Sequence, residues 1–131
     1  DPVYKEELES IISKRGLKVA WDNRFLSGEE LNELLEASKF VLLPHSDGTM
    51  ISSGSFYHAI GEGCNILTNE SEFGREKSKH HSFVHLIDIK GISERTLEEI
   101  YVPKYKVLKE VLSHYGEDKV VDAWKVILAG A

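Results

Sequence analysis

The sequence is poor in several residue types, and each shortage excludes a class of protein. Among 131 residues there is one cysteine, Cys64, so an internal disulfide framework is impossible and a reducing, cytoplasmic setting is the natural interpretation. No apolar run approaches the ~20 residues of a membrane span, and no signal-peptide pattern is present. The 16 Lys and Arg against 22 Asp and Glu give a formal net charge of −6, which argues against a nucleic-acid partner.

The sequence does contain a regular alternation of strand and helix patterns. Short apolar runs bounded by turn residues predict four strands, at 17–21, 40–43, 65–68 and 83–87. Helical spacing predicts about six helices, with Asp1, Ser27 and Ser93 among the capping residues. Residues 69–81 are polar and predict irregular chain with one helical turn. The alternation predicts one Rossmann-like domain over 1–131, a three-layer α/β/α arrangement with a mostly parallel sheet.

The most informative stretch is 40–68, which predicts a strand, a polar loop, a short helix and a second strand. Small residues stand where the helix begins, and a helix N-terminus with exposed N–H groups favours an anion such as phosphate. Other polar residues follow the first strand, at the edge where open α/β sheets bind ligands. We therefore expect these residues to contact a ligand: Ser46, Asp47, Gly48, Ser52, Ser53, Gly54, Ser55 and His58.

Each of these patterns also has an ordinary structural interpretation. Serine often caps a helix, Asp47-Gly48 is a common turn sequence, and His58 fits an exposed or hydrogen-bonded helix position. His80 and His81 are adjacent, but no second set of ligands has metal-site spacing, so we expect no metal and no cofactor. The apolar positions of the last helix, including Trp124, are expected to be buried.

Three segments together resemble the C-terminal, donor-binding half of GT-B glycosyltransferases, above all the retaining family 4 enzymes. Residues 33–44, ELLEASKFVLLP, match a helix followed by a strand ending in "LPS". Residues 59–68, AIGEGCNILT, match "A-x-x-x-G-x-P-V-I-x-(T/S)", with Gly63 at the family glycine. Residues 114–127 resemble the last helix of the family. The order and spacing of the three segments are more specific than any one of them.

The resemblance implies transfer of a hexose, with retention, from a nucleotide-diphosphate sugar to a glycan or lipid-linked acceptor. It also implies that the acceptor domain and a cationic diphosphate clamp precede residue 1, so that the isolated chain is inactive. The full-length enzyme would be cytoplasmic or peripheral at the inner face of the membrane. This chain departs from the common pattern of the family: Asp47 stands at the first glutamate of E-x7-E with a longer loop after it, His58 stands at the second, and Asn65 replaces proline. Ser53-Gly54 resembles the Ser-Gly step that some members of the family carry at the start of the helix.

Two other functions remain open from the sequence. Residues 51–55, ISSGS, resemble the phosphate loop of sugar isomerase domains, which would make the chain a phosphosugar-binding module. In those domains the strand runs directly into the serines, whereas a polar loop separates them here. The third possibility is a non-catalytic α/β interaction module that self-associates through exposed sheet edges.

Overall fold

A computed structural model describes residues 1–20, 24–44, 54–88 and 91–130, which form an α/β fold. The three strands form a parallel sheet in the order β1-β2-β3, with Val41 opposite Ile66 and Ile66 opposite Val84. The parallel sheet and the helix–strand alternation confirm the coarse prediction. The elements in chain order are α1 (Pro2–Lys14), α2 (Gly28–Ala37), β1 (Phe40–Leu42), α3 (Gly54–Gly61), β2 (Asn65–Thr68), α4 (Glu72–His80), β3 (Val84–Leu86), α5 (Glu94–Ile100), α6 (Lys104–Tyr115) and α7 (Glu117–Ala129).

Most helices begin at the residues that the sequence predicts. The Asp1 carboxylate accepts a hydrogen bond from the backbone N–H of Val3 at 3.0 Å. Ser27 and Glu30 form a reciprocal capping box, in which each side chain accepts from the other residue's backbone N–H. The Ser93 hydroxyl accepts from the N–H of Thr96. These bonds satisfy N–H groups that have no partner within their helices.

The strand predicted at 17–21 is wrong for the residues that the structure describes. Residues 17–20 are irregular chain, and Leu17 and Val19 are about half exposed, at 50% and 49%. An apolar run becomes a strand only when a neighbouring strand completes its hydrogen-bond ladder. The described ladder of this sheet ends at β1 on one side and β3 on the other.

The irregular segment predicted at 69–81 is also wrong, because it contains the nine-residue helix α4. The Ser71 side chain caps this helix by accepting from the N–H of Gly74 at 3.0 Å. Phe73 is buried, and a Cβ at Gly74 would lie 2.8 Å from the carbonyl oxygen of Asn69. Few apolar residues are needed for this helix because its buried face is narrow.

Helices contact both faces of the sheet. Alternation along β1 places Val41 and Leu43 on one face, where they meet α2 and α3. Phe40 is on the other face, where its ring lies 5.6 Å from that of Tyr101, just after α5. The buried apolar core lies mainly between the sheet and the helices of the first face: Leu35, Phe56, Ala59, Ile60, Cys64, Ile66, Phe73, Phe83, Val84 and Val107.

The first and last helices contribute little to this core. No residue of α1 is buried. On α7, where burial was expected, Trp124 is 59% exposed and Leu128 is 69% exposed. The helical spacing of these apolar residues is as predicted, but the described part of the chain provides no surface that covers them. Among the described residues, no helix is both long and apolar enough to cross a membrane.

Candidate functional site

A cleft of about 460 Å³ lies between α2, β1 and α3, and three of the predicted ligand residues line it. Gly54, Ser55 and His58 form one side. The other predicted residues, Ser46, Asp47, Gly48, Ser52 and Ser53, lie outside the described residues. One lining residue, Leu43, directly follows β1, so the cleft lies at the carboxyl end of that strand, the edge of the sheet where the sequence predicts a ligand.

The start of α3 is held firmly but leaves space above it. Phe56, Ala59 and Ile60 are each 1% exposed, so the underside of the helix is anchored in the core. At Gly54, a Cβ placed on the backbone would meet nothing within 4 Å. A rigid helix end with open space beside it can approach a ligand through its backbone N–H groups.

The walls of the cleft are mostly apolar. Leu31 and Leu35 come from α2, and Val41 and Leu43 come from β1. Leu35 is 9% exposed and belongs to the core, so this part of the cleft is a fixed surface. Apolar walls with a few polar groups at one side are typical of small-molecule sites.

His58 is paired across the cleft with Asn32 of α2, a residue that the sequence analysis missed. The Nε2 atom of His58 hydrogen-bonds the side-chain oxygen of Asn32. Because an amide oxygen only accepts, Nε2 is the donor in this bond, and in the neutral ring Nδ1 can then accept. The pairing links two helices separated by 26 residues, so spacing in the sequence gives no signal for it.

The far ends of α2 and α3 are tied together beneath the cleft. The Lys104 ammonium donates to the carbonyl oxygens of Leu35 at 3.3 Å and Glu62 at 3.0 Å, close to the last turns of the two helices. Cations are favourable at helix C-termini, where backbone carbonyls lack partners. The Cys64 thiol also donates to the Leu35 carbonyl, and burial raises the pKa of this thiol. Cys64 is therefore a buried core residue that also helps to hold the end of α2.

Asn65 holds the amino end of β2 to the link between α5 and α6. Its amide nitrogen donates to the Val102 carbonyl at 2.7 Å, and its oxygen accepts from the Val102 N–H at 2.9 Å. The same oxygen is 3.1 Å from Nε2 of His85, whose pKa burial lowers. Proline, the usual residue of the resembled family at this position, makes none of these side-chain bonds.

His81 lies buried directly after α4, in an aromatic cluster. Its Nε2 is 2.7 Å from the Tyr115 hydroxyl, and its ring stacks on Phe83. Nδ1 is buried without a hydrogen-bond partner. Burial, and secondarily the neighbouring His114, lowers the pKa of His81 from 6.5 to about 4. His81 is therefore a neutral core residue at physiological pH.

A second cleft of about 430 Å³ lies beside the carboxyl end of β3, where His85, Asp88 and Thr96 are among its lining residues. Across the described ranges, no group of three or more His, Cys, Asp or Glu side chains could hold a metal ion. No protein-family model, curated protein or solved structure matches this chain.

Proposed function

We propose that the chain is the donor-binding, Rossmann-like domain of a GT-B retaining glycosyltransferase. Its ligand is a nucleotide-diphosphate sugar, and the full-length enzyme transfers the hexose to a glycan or lipid-linked acceptor. The single observation that carries the proposal is the cleft between α2, β1 and α3. It combines a helix N-terminus, a histidine and apolar walls at the carboxyl edge of a parallel sheet.

The parts of the cleft suit the parts of such a ligand. The start of α3 at Gly54 and Ser55 suits a diphosphate, because backbone N–H groups at the positive end of a helix are donors that favour an anion. The apolar walls of α2 and β1 suit a planar base. The acceptor Nδ1 of His58, set by its bond to Asn32, suits a sugar hydroxyl, which can donate to it.

In this proposal the chain contributes electrostatic stabilisation rather than a catalytic base. Backbone N–H groups at a helix start are pre-oriented toward the leaving diphosphate, whose negative charge grows as the sugar departs. The second substrate and the remaining diphosphate contacts are proposed to lie on another part of the full-length enzyme. We therefore expect the 131-residue chain to bind nucleotide but to transfer no sugar, and turnover by this chain alone would contradict that division.

Ligand-dependent thermal unfolding tests the proposal. UDP, GDP and ADP are compared with glucose-6-phosphate and fructose-6-phosphate. A ligand at 100 times its Kd stabilises a protein by about 2.7 kcal/mol, which raises Tm on the order of 10 °C for a domain of this size. We expect one of the nucleoside diphosphates to do so. Stabilisation by the sugar phosphates alone would favour the phosphosugar module, and no shift with any of the five would contradict both.

Ser55→Asp separates binding at α3 from non-specific stabilisation. A carboxylate in the first turn of a helix favours the fold but repels a diphosphate, so the shift should disappear while the unliganded Tm is kept. Ser10→Asp, at an exposed position on α1, is the matched control and should leave the shift intact. A full shift in Ser55→Asp would place the diphosphate elsewhere.

His58→Ala tests the polar side of the cleft in the same assay. Loss of one hydrogen bond to a hydroxyl should weaken nucleotide binding by roughly 10-fold. His80→Ala, at an exposed position on α4, removes an imidazole far from the cleft and should change nothing. Equal nucleotide affinities of the two variants would show that His58 does not contact the ligand.

A further inference from the structure

The second cleft, of about 430 Å³, lies between β3 and α5, on the face of the sheet opposite to the first cleft. His85 of β3 is on the same face as Phe40, because the two rings lie 6.5 Å apart. Val41, which lines the first cleft, points to the other face. Thr96 and Ile100 of α5 also line the second cleft, and no described residue lines both. The two clefts are therefore separate.

His85 is held in one tautomer by Asn65. The side-chain nitrogen of Asn65 donates to the Val102 carbonyl at 2.7 Å, and its oxygen accepts from the Val102 N–H at 2.9 Å. These two bonds fix which end of the amide is the oxygen. That oxygen lies 3.1 Å from Nε2 of His85 and can only accept, so Nε2 donates. In the neutral ring, Nδ1 is then an acceptor.

Nδ1 of His85 is accessible from the second cleft. Burial lowers the pKa of His85, so the ring is neutral at physiological pH. No group in the described part of the chain hydrogen-bonds Nδ1. Among the described residues, Nδ1 of His81 is the only fully enclosed side-chain nitrogen or oxygen that lacks a partner, so Nδ1 of His85 is not enclosed. Because His85 lines the cleft, this acceptor can be reached by a ligand.

The other walls of the second cleft are mainly apolar. Three half-buried isoleucines line it: Ile87, Ile92 and Ile100. The Thr96 hydroxyl lies 2.8 Å from that of Ser93, so it is already hydrogen-bonded within the protein. Asp88 is the one charged side chain among the described lining residues, and its carboxylate disfavours an anion. This combination suits a neutral, largely apolar ligand, unlike the diphosphate proposed for the first cleft.

We propose that the second cleft binds a small neutral molecule with an apolar body and one hydroxyl or N–H group, such as a phenol, which donates to Nδ1 of His85. The apolar body removes the isoleucine side chains from water, and the hydrogen bond satisfies the acceptor. Asn65 does not touch the ligand. It is a positioning residue whose own bonds stay within the fold and fix the His85 ring.

Titration with phenol and anisole, followed by the backbone amide resonances of the chain, tests the proposal. The two molecules share an aromatic ring, but anisole has a methyl group in place of the hydroxyl hydrogen and cannot donate. We expect phenol to bind roughly 10-fold more tightly, because anisole leaves Nδ1 without a partner. The amides of Gly91 and Thr96 should shift, and those of Gly54 and Ser55 should not. Benzoate should bind more weakly than phenol.

His85→Phe separates the hydrogen bond from apolar burial. The phenylalanine keeps an aromatic ring in the wall but removes the acceptor, so phenol and anisole should bind this variant equally. His80→Phe, at an exposed position on α4, is the matched control and should keep the roughly 10-fold preference. A preference for phenol that persists in His85→Phe would assign the hydrogen bond to another group and overturn the proposal.

Nitrogen NMR of the histidine rings gives a second measurement, which needs no substitution. Nδ1 of His85 should give the resonance of an unprotonated nitrogen, which phenol shifts and anisole does not. Equal affinity of the unmodified chain for phenol and anisole would overturn the proposal, as would tighter binding of benzoate or no binding of phenol. Nucleoside diphosphates should leave the Gly91 and Thr96 amides unchanged, so the two clefts are tested independently.

Discussion

The amino and carboxyl ends of the parallel sheet differ in where their polar groups are used. At the amino end, side chains tie elements to one another: Lys104 joins α2 and α3, Asn65 holds the α5–α6 link, and His81 bonds to α6. At the carboxyl end lie the two clefts, and His58 faces one of them. At the first end these side chains form bonds within the protein, whereas at the second His58 lines a cleft and can contact a ligand.

The comparison is sharpest for two asparagines, each of which accepts from a histidine. Asn65 bonds His85 and the Val102 backbone and is fully buried, whereas Asn32 bonds His58 and is exposed. The asparagine–histidine pair at one end of the sheet therefore stabilises the fold. The pair near the other end is available to a ligand. Substitutions at the two ends should separate stability from binding.

The largest effect is expected from Asn65→Leu. The Val102 N–H and C=O would be left without partners beside a buried side chain, which costs about 3 kcal/mol of unfolding free energy. Urea unfolding measures this loss, and nucleotide affinity of the folded fraction should be unchanged. Asn32→Leu, at an exposed position on α2, is the control for stability. A loss below about 1 kcal/mol would mean that water replaces Asn65 without penalty.

The next effect is a loss of stability in acid that depends on His81. Its folded pKa of about 4 lies below the unfolded value of 6.5, so the unfolded chain binds more protons between these values. Stability is therefore complete above pH 6.5 and falls as the pH drops toward 4. Between pH ~7.5 and ~5 the loss from this residue is about 2 kcal/mol. Burial of His85 acts in the same direction.

His81→Phe should flatten this part of the pH profile, because the aromatic volume is kept and the titrating group is removed. His80→Gln changes the adjacent exposed residue, whose charge lowers the pKa of His81 only slightly, and should alter the profile much less. Urea unfolding at several pH values measures both. If the profile of His81→Phe matched that of the unmodified chain, the acid sensitivity would belong to other groups.

A smaller effect is expected from Lys104→Met. The methionine keeps most of the apolar stem but leaves the carbonyls of Leu35 and Glu62 without the ammonium, at a cost of about 1–2 kcal/mol. Lys106→Met, at an exposed position on the same helix, should change stability by less than about 0.5 kcal/mol. Equal costs would show that the charge of α6, rather than the helix-end contact, is responsible.

The features that the sequence predicted correctly depend on residues that are close together in the chain. The capping residues Asp1, Ser27 and Ser93 act within three residues and were recognised. The strands 40–43, 65–68 and 83–87 are apolar runs with clear boundaries, and the structure keeps a strand within each. The family motif includes Gly63. Its backbone φ of +80° is unfavourable for residues that have a side chain, and it packs closely on Leu108, so the structure requires a glycine at this position.

The predictions that failed, and the contacts that were missed, depend on distant parts of the chain. Whether residues 17–20 form a strand depends on a neighbouring ladder, and whether α7 is buried depends on a surface to cover it. Asn65 meets Val102 across 37 residues, and His58 meets Asn32 across 26. Periodicity identifies an apolar or polar position but does not identify its partner. For that reason the histidine of the cleft was predicted and the asparagine opposite it was not.

The smallest effect on stability, and the most diagnostic, is expected from Asn32→Ala. Its side chain is exposed, so the free energy of unfolding should change by less than about 0.5 kcal/mol. Without the Asn32 oxygen, however, the His58 ring loses its fixed tautomer, and nucleotide affinity should fall about 5- to 10-fold. Asn32→Asp keeps an acceptor for Nε2–H and should retain affinity if positioning of His58 is the role. If Asn32→Ala lowered stability as much as Asn65→Leu, the two ends of the sheet would not differ in the way proposed.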